Sequence, residues 1–238
     1  MHYTSSQGGV FAVISVRNKF NPSNRKLSMK PYLHICAVCI SSMLFTTAYA
    51  GKYNAVMEID DPMPSFTDLP TVDARSLSSQ ELKQSVVVLV SLANHCPWVR
   101  GMDHDLIKLV DQFKDQDVRI VGFSVSLREA DRLAAMKKHA EKVGYNFAYL
   151  YDESQALGRK LGATRTPEYF IFDHARKLVY MGLLYNSPAR MIEDGRIHYL
   201  EGPPTRFYVQ DAIQAALDGK PVAIAETRAH GCTVQYEN

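Results

Sequence analysis

Two kinds of hydrophobic spacing alternate along this chain. Residues 85–91 (SVVVLVS) form a continuous, mainly β-branched run, the pattern of a strand buried on both faces. After a short turn, Val99, Met102, Leu106, Leu109, Val110 and Phe113 recur at helical spacing with charges between them. Residues 118–125 repeat the buried-strand pattern. Leu133, Met136, Ala140 and Val143 mark a second helix, which Gly144 is placed to close. Residues 147–151 read as a short strand. Asp152 and Gln155 then resemble a capping box for a short helix ending near Gly162.

Residues 169–172 and 177–181 read as two further strands joined by the turn Asp173-His174-Ala175-Arg176. Residues 183–204 read as a polar, irregular insertion. Val209, Ile213, Ala216 and Leu217 give residues 206–217 one apolar face, and Gly219 closes that helix. The order is β-α-β-α-β-(α)-β-β-α. Strands connected through helices favour parallel neighbours, and a pair joined by a tight turn is antiparallel. The pattern therefore predicts an α/β fold: a mixed central β-sheet flanked by helices on both faces. The expected divisions are a leader at 1–50, an extended segment at 51–71, a domain at 72–220 and a tail at 221–238.

Charge changes this picture at one end. The 238 residues are 46% hydrophobic, ample for one packed core, and the formal net charge is +2. Residues 1–50 hold five of the 27 basic residues (Arg17, Lys19, Arg25, Lys26 and Lys30) and no acidic residue. The remainder has 22 basic against 25 acidic side chains. The basic surplus thus belongs to the leader, which argues against a nucleic-acid partner for the folded body. Met29-Lys30, the apolar run 33–45 and the small-x-small triplet Ala48-Tyr49-Ala50 together read as a secretion signal cleaved after Ala50, with Met29 an alternative start. The run is short and interrupted for a membrane span. The expectation is an exported protein, periplasmic or secreted, with no stable membrane insertion after cleavage.

Cys36 and Cys39 lie in the leader, so cleavage leaves only Cys96 and Cys232. In an oxidising compartment such a pair is compatible with a disulfide. Cys96 lies between a buried strand and a helix, and Pro97 suits the first helical position. A thiolate at a helix start is stabilised by the positive end of the dipole and by free N–H donors, and the thiolate is the nucleophile in exchange with disulfides and in attack on peroxides. An inert buried thiol or half of a structural disulfide is the competing reading. His95 adds a neighbouring positive charge when protonated. Thr166-Pro167 opens the next strand, where a cis bond exposes backbone groups of Arg165 and Thr166 and a trans bond is the ordinary alternative. His95, Cys96 and His104 match no standard zinc spacing, and no glycine-rich phosphate cradle implies an organic cofactor. His139, His174, His198 and His230 are scattered and read as exposed. Trp98, the only tryptophan, lies beside the thiol or simply packs on the domain. Arg190, Arg196 and His198 in the insertion offer a rim over the site.

Two segments together resemble the thioredoxin-like superfamily, in its alkyl hydroperoxide reductase/thiol-specific antioxidant (redoxin) branch. They are strand-Asn94-His95-Cys96-Pro97-helix and Thr164-Arg165-Thr166-Pro167-Glu168-strand. The likeness runs from about residue 66 to residue 217. It implies a thioredoxin-like fold, with Cys96 at the redox-cysteine position and Pro167 at the facing cis-proline position. Relatives with this layout often carry C-N-H-C-P, and here Ala93 replaces the first cysteine, which excludes a CxxC cycle. Peroxide-reducing relatives resemble P-x-x-x-T-x-x-C, and here Leu89 and Ala93 replace the Pro and Thr. The resemblance implies a thiol oxidoreductase acting on a disulfide or a peroxide. Cys96 is then the nucleophile, Cys232 the resolving thiol and Arg165 an electrostatic helper. Thr166, His95 and Trp98 are the candidate substrate contacts. Turnover needs an external thiol or thioredoxin-like reductant. The rival expectation is a non-catalytic binding module held by a structural Cys96–Cys232 bond, with a copper or zinc carrier as a minor third.

Overall fold

The β-branched run at 86–91 becomes the centre of the sheet. In the computed structural model, which describes residues 51–238, the elements run in order. They are β1 (Leu69–Pro70), β2 (Ser76–Leu77), β3 (Val86–Ser91), α1 (Pro97–Phe113), β4 (Val118–Ser124), α2 (Leu133–Val143), β5 (Ala148–Tyr151), α3 (Ala156–Leu161), β6 (Arg165–Thr166), β7 (Glu168–Phe172), β8 (Leu178–Gly182), β9 (Ala189–Met191), β10 (Ile197–Tyr199), α4 (Tyr208–Leu217) and β11 (Cys232–Thr233). The leader, its cleavage site, Cys36 and Cys39 lie outside the described residues.

Five strands form the main sheet in the order β5-β4-β3-β7-β8. β3 runs parallel to β4 and antiparallel to β7, β4 runs parallel to β5, and β7 is antiparallel to β8. The fold is therefore α/β with a mixed sheet, as the order of elements predicts, and thioredoxin-like, as the resemblance implies. All six β3 residues are buried because both faces are covered. Val86, Val88 and Val90 pack with Val99, Met102 and Leu106 of α1, Met136 of α2 and Val209 and Ile213 of α4. Val87 and Leu89 face the other way, onto Leu157 and Leu161 of α3 and onto Met57 and Phe66 from the N-terminal segment. That segment also covers the free edge of β8, through Asp60 N–H to Leu178 O and Leu178 N–H to Asp61 O, both 2.8 Å.

Two local expectations are corrected. Asp152 does serve the start of α3, accepting from the N–H groups of Ala156 (3.2 Å) and Gly158 (3.1 Å). Gln155, however, is not its reciprocal partner. It adopts φ +60° at the helix N-cap, and its amide donates to Val125 O (2.9 Å) and Gln235 O (3.0 Å). A tertiary partner in the tail outcompetes the local box. The insertion at 183–204 is also more regular than its polarity suggests. β9 and β10 form an antiparallel hairpin within it, and Tyr185 and Ala189 are buried. The hairpin rests on α1 because Gly101 has no side chain: a Cβ there lies 2.6 Å from Ala189 O and 2.5 Å from Arg190 Cα. Overpacking of this kind costs about 1–3 kcal/mol. Gly101→Val is expected to lower the unfolding free energy from urea titration by that amount, and an unchanged midpoint shows that the hairpin shifts freely.

Candidate functional site

The end of β3 delivers Cys96 to the N-cap of α1, where it has extended backbone (φ −76°, ψ 118°) and Pro97 takes the first helical position. Its side chain has no exposed surface. The Cys96 Sγ–H donates to the carbonyl of Thr166 at 3.1 Å. Thr166 is joined to Pro167 by a cis peptide bond, so the question left open by the sequence is answered. The turn before Pro167 is held by buried Glu168, whose Oε2 accepts from the N–H groups of Thr164 (2.7 Å) and Arg165 (3.0 Å).

The tail folds back across this point. β11 pairs antiparallel with β6, Cys232 opposite Thr166 and Thr233 opposite Arg165. Both cysteines are free thiols. Burial, and then the adjacent Cys96 sulfur, pushes the Cys232 thiol up to about 12, against the Trp98 backbone N–H, which works the other way. Cys232 is therefore protonated at neutral pH. Contacts on both sides fasten the strap. Thr227 Oγ1 accepts from Leu183 N–H (2.8 Å), Val234 N–H donates to Thr164 O (3.0 Å), and Tyr236 OH donates to Ala163 O (2.7 Å). Gly231 passes so close to Thr166 that a Cβ would overlap its carbonyl oxygen. His230 meets the Trp98 ring edge-on at 4.3 Å, and the Arg190 guanidinium lies 5.7 Å from the same ring.

Beside the thiol pair is a cleft of about 20 Å³, room for little more than one water. Ala93, His95, Ser126, Arg128 and Thr166 line it, with Thr233 to Gln235 of the tail as its far wall. The loop before Cys96 is gripped by a short 3₁₀ turn at Glu129–Asp131. Asn94 Nδ2 donates to Ala130 O at 2.8 Å, and His95 N–H donates to Asp131 Oδ1 at 3.1 Å. His95 Nδ1 and Ser126 Oγ both bond Asp131 Oδ2, at 2.5 and 2.6 Å. Burial works to raise the Asp131 carboxyl, but these hydrogen bonds outweigh it and hold the group below the usual carboxylate range.

The structure brings together Cys96, Cys232, Thr166, Pro167, His95 and Trp98. Arg165 is placed differently from a thiolate partner: its guanidinium donates to Thr233 Oγ1, and the Cys96 sulfur has Thr166 O as its partner. Trp98 packs on the domain, against the cluster that contains Cys96, and its ring meets His230 of the tail. Of the histidines read as exposed, His174 and His198 are, whereas His139 sits 3.4 Å from Asp103 and His230 is half-buried on Trp98. Of the proposed rim, Arg190 reaches the site, while Arg196 pairs with Asp194 on an exposed turn. Sequence reasoning missed Asp131, Ser126 and Gly231. They lie far from Cys96 in the chain, and a lone acidic residue in a polar stretch gives no local signal. Among the described residues no group of three or more His, Cys, Asp or Glu side chains is arranged to hold a metal ion.

The sequence model of the Redoxin family matches residues 58–199. No curated protein matches this chain. Among solved structures, it is similar to an uncharacterised conserved protein from Geobacillus kaustophilus, with 28% identity and a TM-score of 0.67 over 77% of this chain and 95% of that one. A hypothetical protein from Sinorhizobium meliloti shares the fold at 24% identity and a TM-score of 0.67, over 77% of this chain and 97% of that one.

Two outcomes are expected for the strap. Gly231→Ala displaces it, at a clash cost of about 1–3 kcal/mol. Alkylation of Cys96 by iodoacetamide is then about tenfold faster or more, and the emission of the sole tryptophan changes. Unaltered alkylation and emission contradict the close approach. The second outcome concerns pH. Burial, and then Arg165, lower the His230 pKa in the docked tail. A free tail keeps the ordinary value of about 6.5. Docking is therefore full above that value and weakens as pH falls through it. Trp98 emission is expected to change between pH 7.5 and 5.5 in the wild type and to stay flat in His230→Phe.

Proposed function

This chain belongs to the Redoxin family, and from that premise we propose that it is a thiol oxidoreductase in which Cys96 attacks and Cys232 resolves. The observation that carries the reading is the meeting of two distant thiols on one backbone group. The Cys96 sulfur donates to Thr166 O, and Cys232 is the β-bridge partner of Thr166. Cys232 thereby supplies the second thiol that Ala93 withholds from the helix start.

In the cycle, the Cys96 thiolate attacks one sulfur of a substrate disulfide. A new S–S bond forms, the old one breaks, and one substrate thiol departs. Cys232 then attacks the Cys96 sulfur, closes the Cys96–Cys232 disulfide and releases the second thiol. An external dithiol or thioredoxin-like reductant returns the two electrons. Thr166 offers the backbone edge on which substrate lies, Pro167 fixes that edge, and Trp98 and His95 border it. Arg165 acts on the tail through Thr233. Exchange is favoured over peroxide reduction because Leu89 and Ala93 stand where a peroxide site resembles Pro and Thr. Export is proposed from the leader, and among the described residues no helix is long and apolar enough to cross a membrane.

Mild oxidation of the wild type is expected to link Cys96 to Cys232, mapped by peptide mass. Cys96→Ser abolishes reduction of a protein disulfide, and Cys232→Ser accumulates a mixed disulfide on Cys96. A Cys96–Cys232 potential below about −300 mV marks a structural bond and overturns the cycle. Dimedone capture of a Cys96 sulfenic acid after a peroxide pulse restores the peroxide reading.

A further inference from the structure

We propose that His95, oriented by Asp131 and Ser126, donates the proton to the departing thiol when Cys96 attacks a disulfide; this rests on the exchange reading above. Asp131 has no exposed surface, and among the described residues His95 is the only basic group within 4.0 Å of its carboxylate. A buried carboxylate is tolerated only when it is paired and hydrogen-bonded. Asp131 gains both from one residue, taking the backbone N–H and the ring of His95, and Ser126 completes the set. With Nδ1–H donated to Asp131, Nε2 is the nitrogen left to work. The imidazole keeps 27% of its side chain exposed. It lines the same cleft as Ala93 and Thr166, next in sequence to the attacking cysteine. The charged groups that face it are Asp131 behind the ring and Arg128 in the cleft; the tail wall of Thr233, Val234 and Gln235 is uncharged.

The chemistry needs such a donor. Attack pushes the electron pair of the broken S–S bond onto the departing sulfur, and an alkyl thiolate is a poor leaving group in a desolvated site. The His95 ring takes up the Cys96 Sγ proton as the thiolate forms and passes a proton from Nε2 to that sulfur as it leaves, while the Asp131 carboxylate on Nδ1 holds the ring in place. Across one turnover the two released thiols carry off the Cys96 proton, relayed through His95, and the Cys232 proton. The external dithiol restores both. His95 is thus a catalytic residue of the exchange, whereas Asp131 and Ser126 are positioning residues.

Leaving-group dependence separates this role from a structural one. In full-length Cys232→Ser protein, the attack step is timed with a nitrobenzoate aryl disulfide, whose leaving thiol is strongly acidic, and with an alkyl disulfide such as oxidised glutathione. General acid catalysis contributes about 10²–10⁴ where a poor leaving group requires it. His95→Asn and Asp131→Asn are therefore expected to slow the alkyl reaction relative to the aryl one by at least about tenfold, and Ser126→Ala by less. An unchanged ratio overturns the proposal, as does an equal slowing of both reactions, the mark of a distorted loop. If Asp131→Asn fails to fold, His95→Asn alone decides the ratio. Failure of the parent protein to react with either disulfide instead refutes the exchange reading itself.

Discussion

The carbonyl of Thr166 is the group on which the proposed chemistry depends. It receives the Cys96 sulfur, it lies opposite Cys232, and Gly231 must pass it without a side chain. A buried backbone acceptor has to be satisfied, and here a thiol satisfies it. Moving that oxygen would separate the two sulfurs. The surrounding structure accordingly holds it from behind, through Glu168 on the Thr164 and Arg165 N–H groups and through β7 pairing with the central strand β3.

The tail resolves a conflict between reactivity and protection. A nucleophilic thiol at a helix start is useful only if substrate reaches it, yet Cys96 is wholly covered. Cys96 belongs to the core cluster, and the tail lies against it. That tail segment is a two-residue strand held by hydrogen bonds, by the Trp98–His230 contact and by Val234 and Tyr236 on the second apolar cluster. A two-residue strand opens locally at lower free-energy cost than a strand at the centre of the sheet. The same strap therefore shields the thiol at rest, carries the second thiol and must move to admit substrate in the proposed cycle.

On the other side of Cys96, a second polar assembly grips the active loop. Asn94 bonds Ala130, and His95 bonds Asp131 twice. The turn after β4 thus fixes the loop after β3. Parallel neighbours β3 and β4 end on the same side of the sheet, so topology alone brings these two loops together.

Much of this was legible in the order of residues. Periodicity depends on local geometry, so the runs at 85–91 and 118–125, the stripe from Val99 to Phe113 and the glycine stop at 144 announce their elements without a partner. Cys96 before Pro97 and Thr166 before Pro167 are joined in the sequence only by their resemblance to the redoxin layout; the local pattern alone leaves an inert thiol and a trans proline open. Capping at α3 and the hairpin at 189–199 were misread because a tail glutamine contact and a side-chain-free Gly101 decided them, and both are tertiary. The pairing of Cys232 with Thr166 and the seating of His95 on Asp131 join residues 66 and 36 positions apart. No local pattern encodes such contacts. The sequence by itself determined which thiols exist and where the helix starts; only the folded chain decided that they meet.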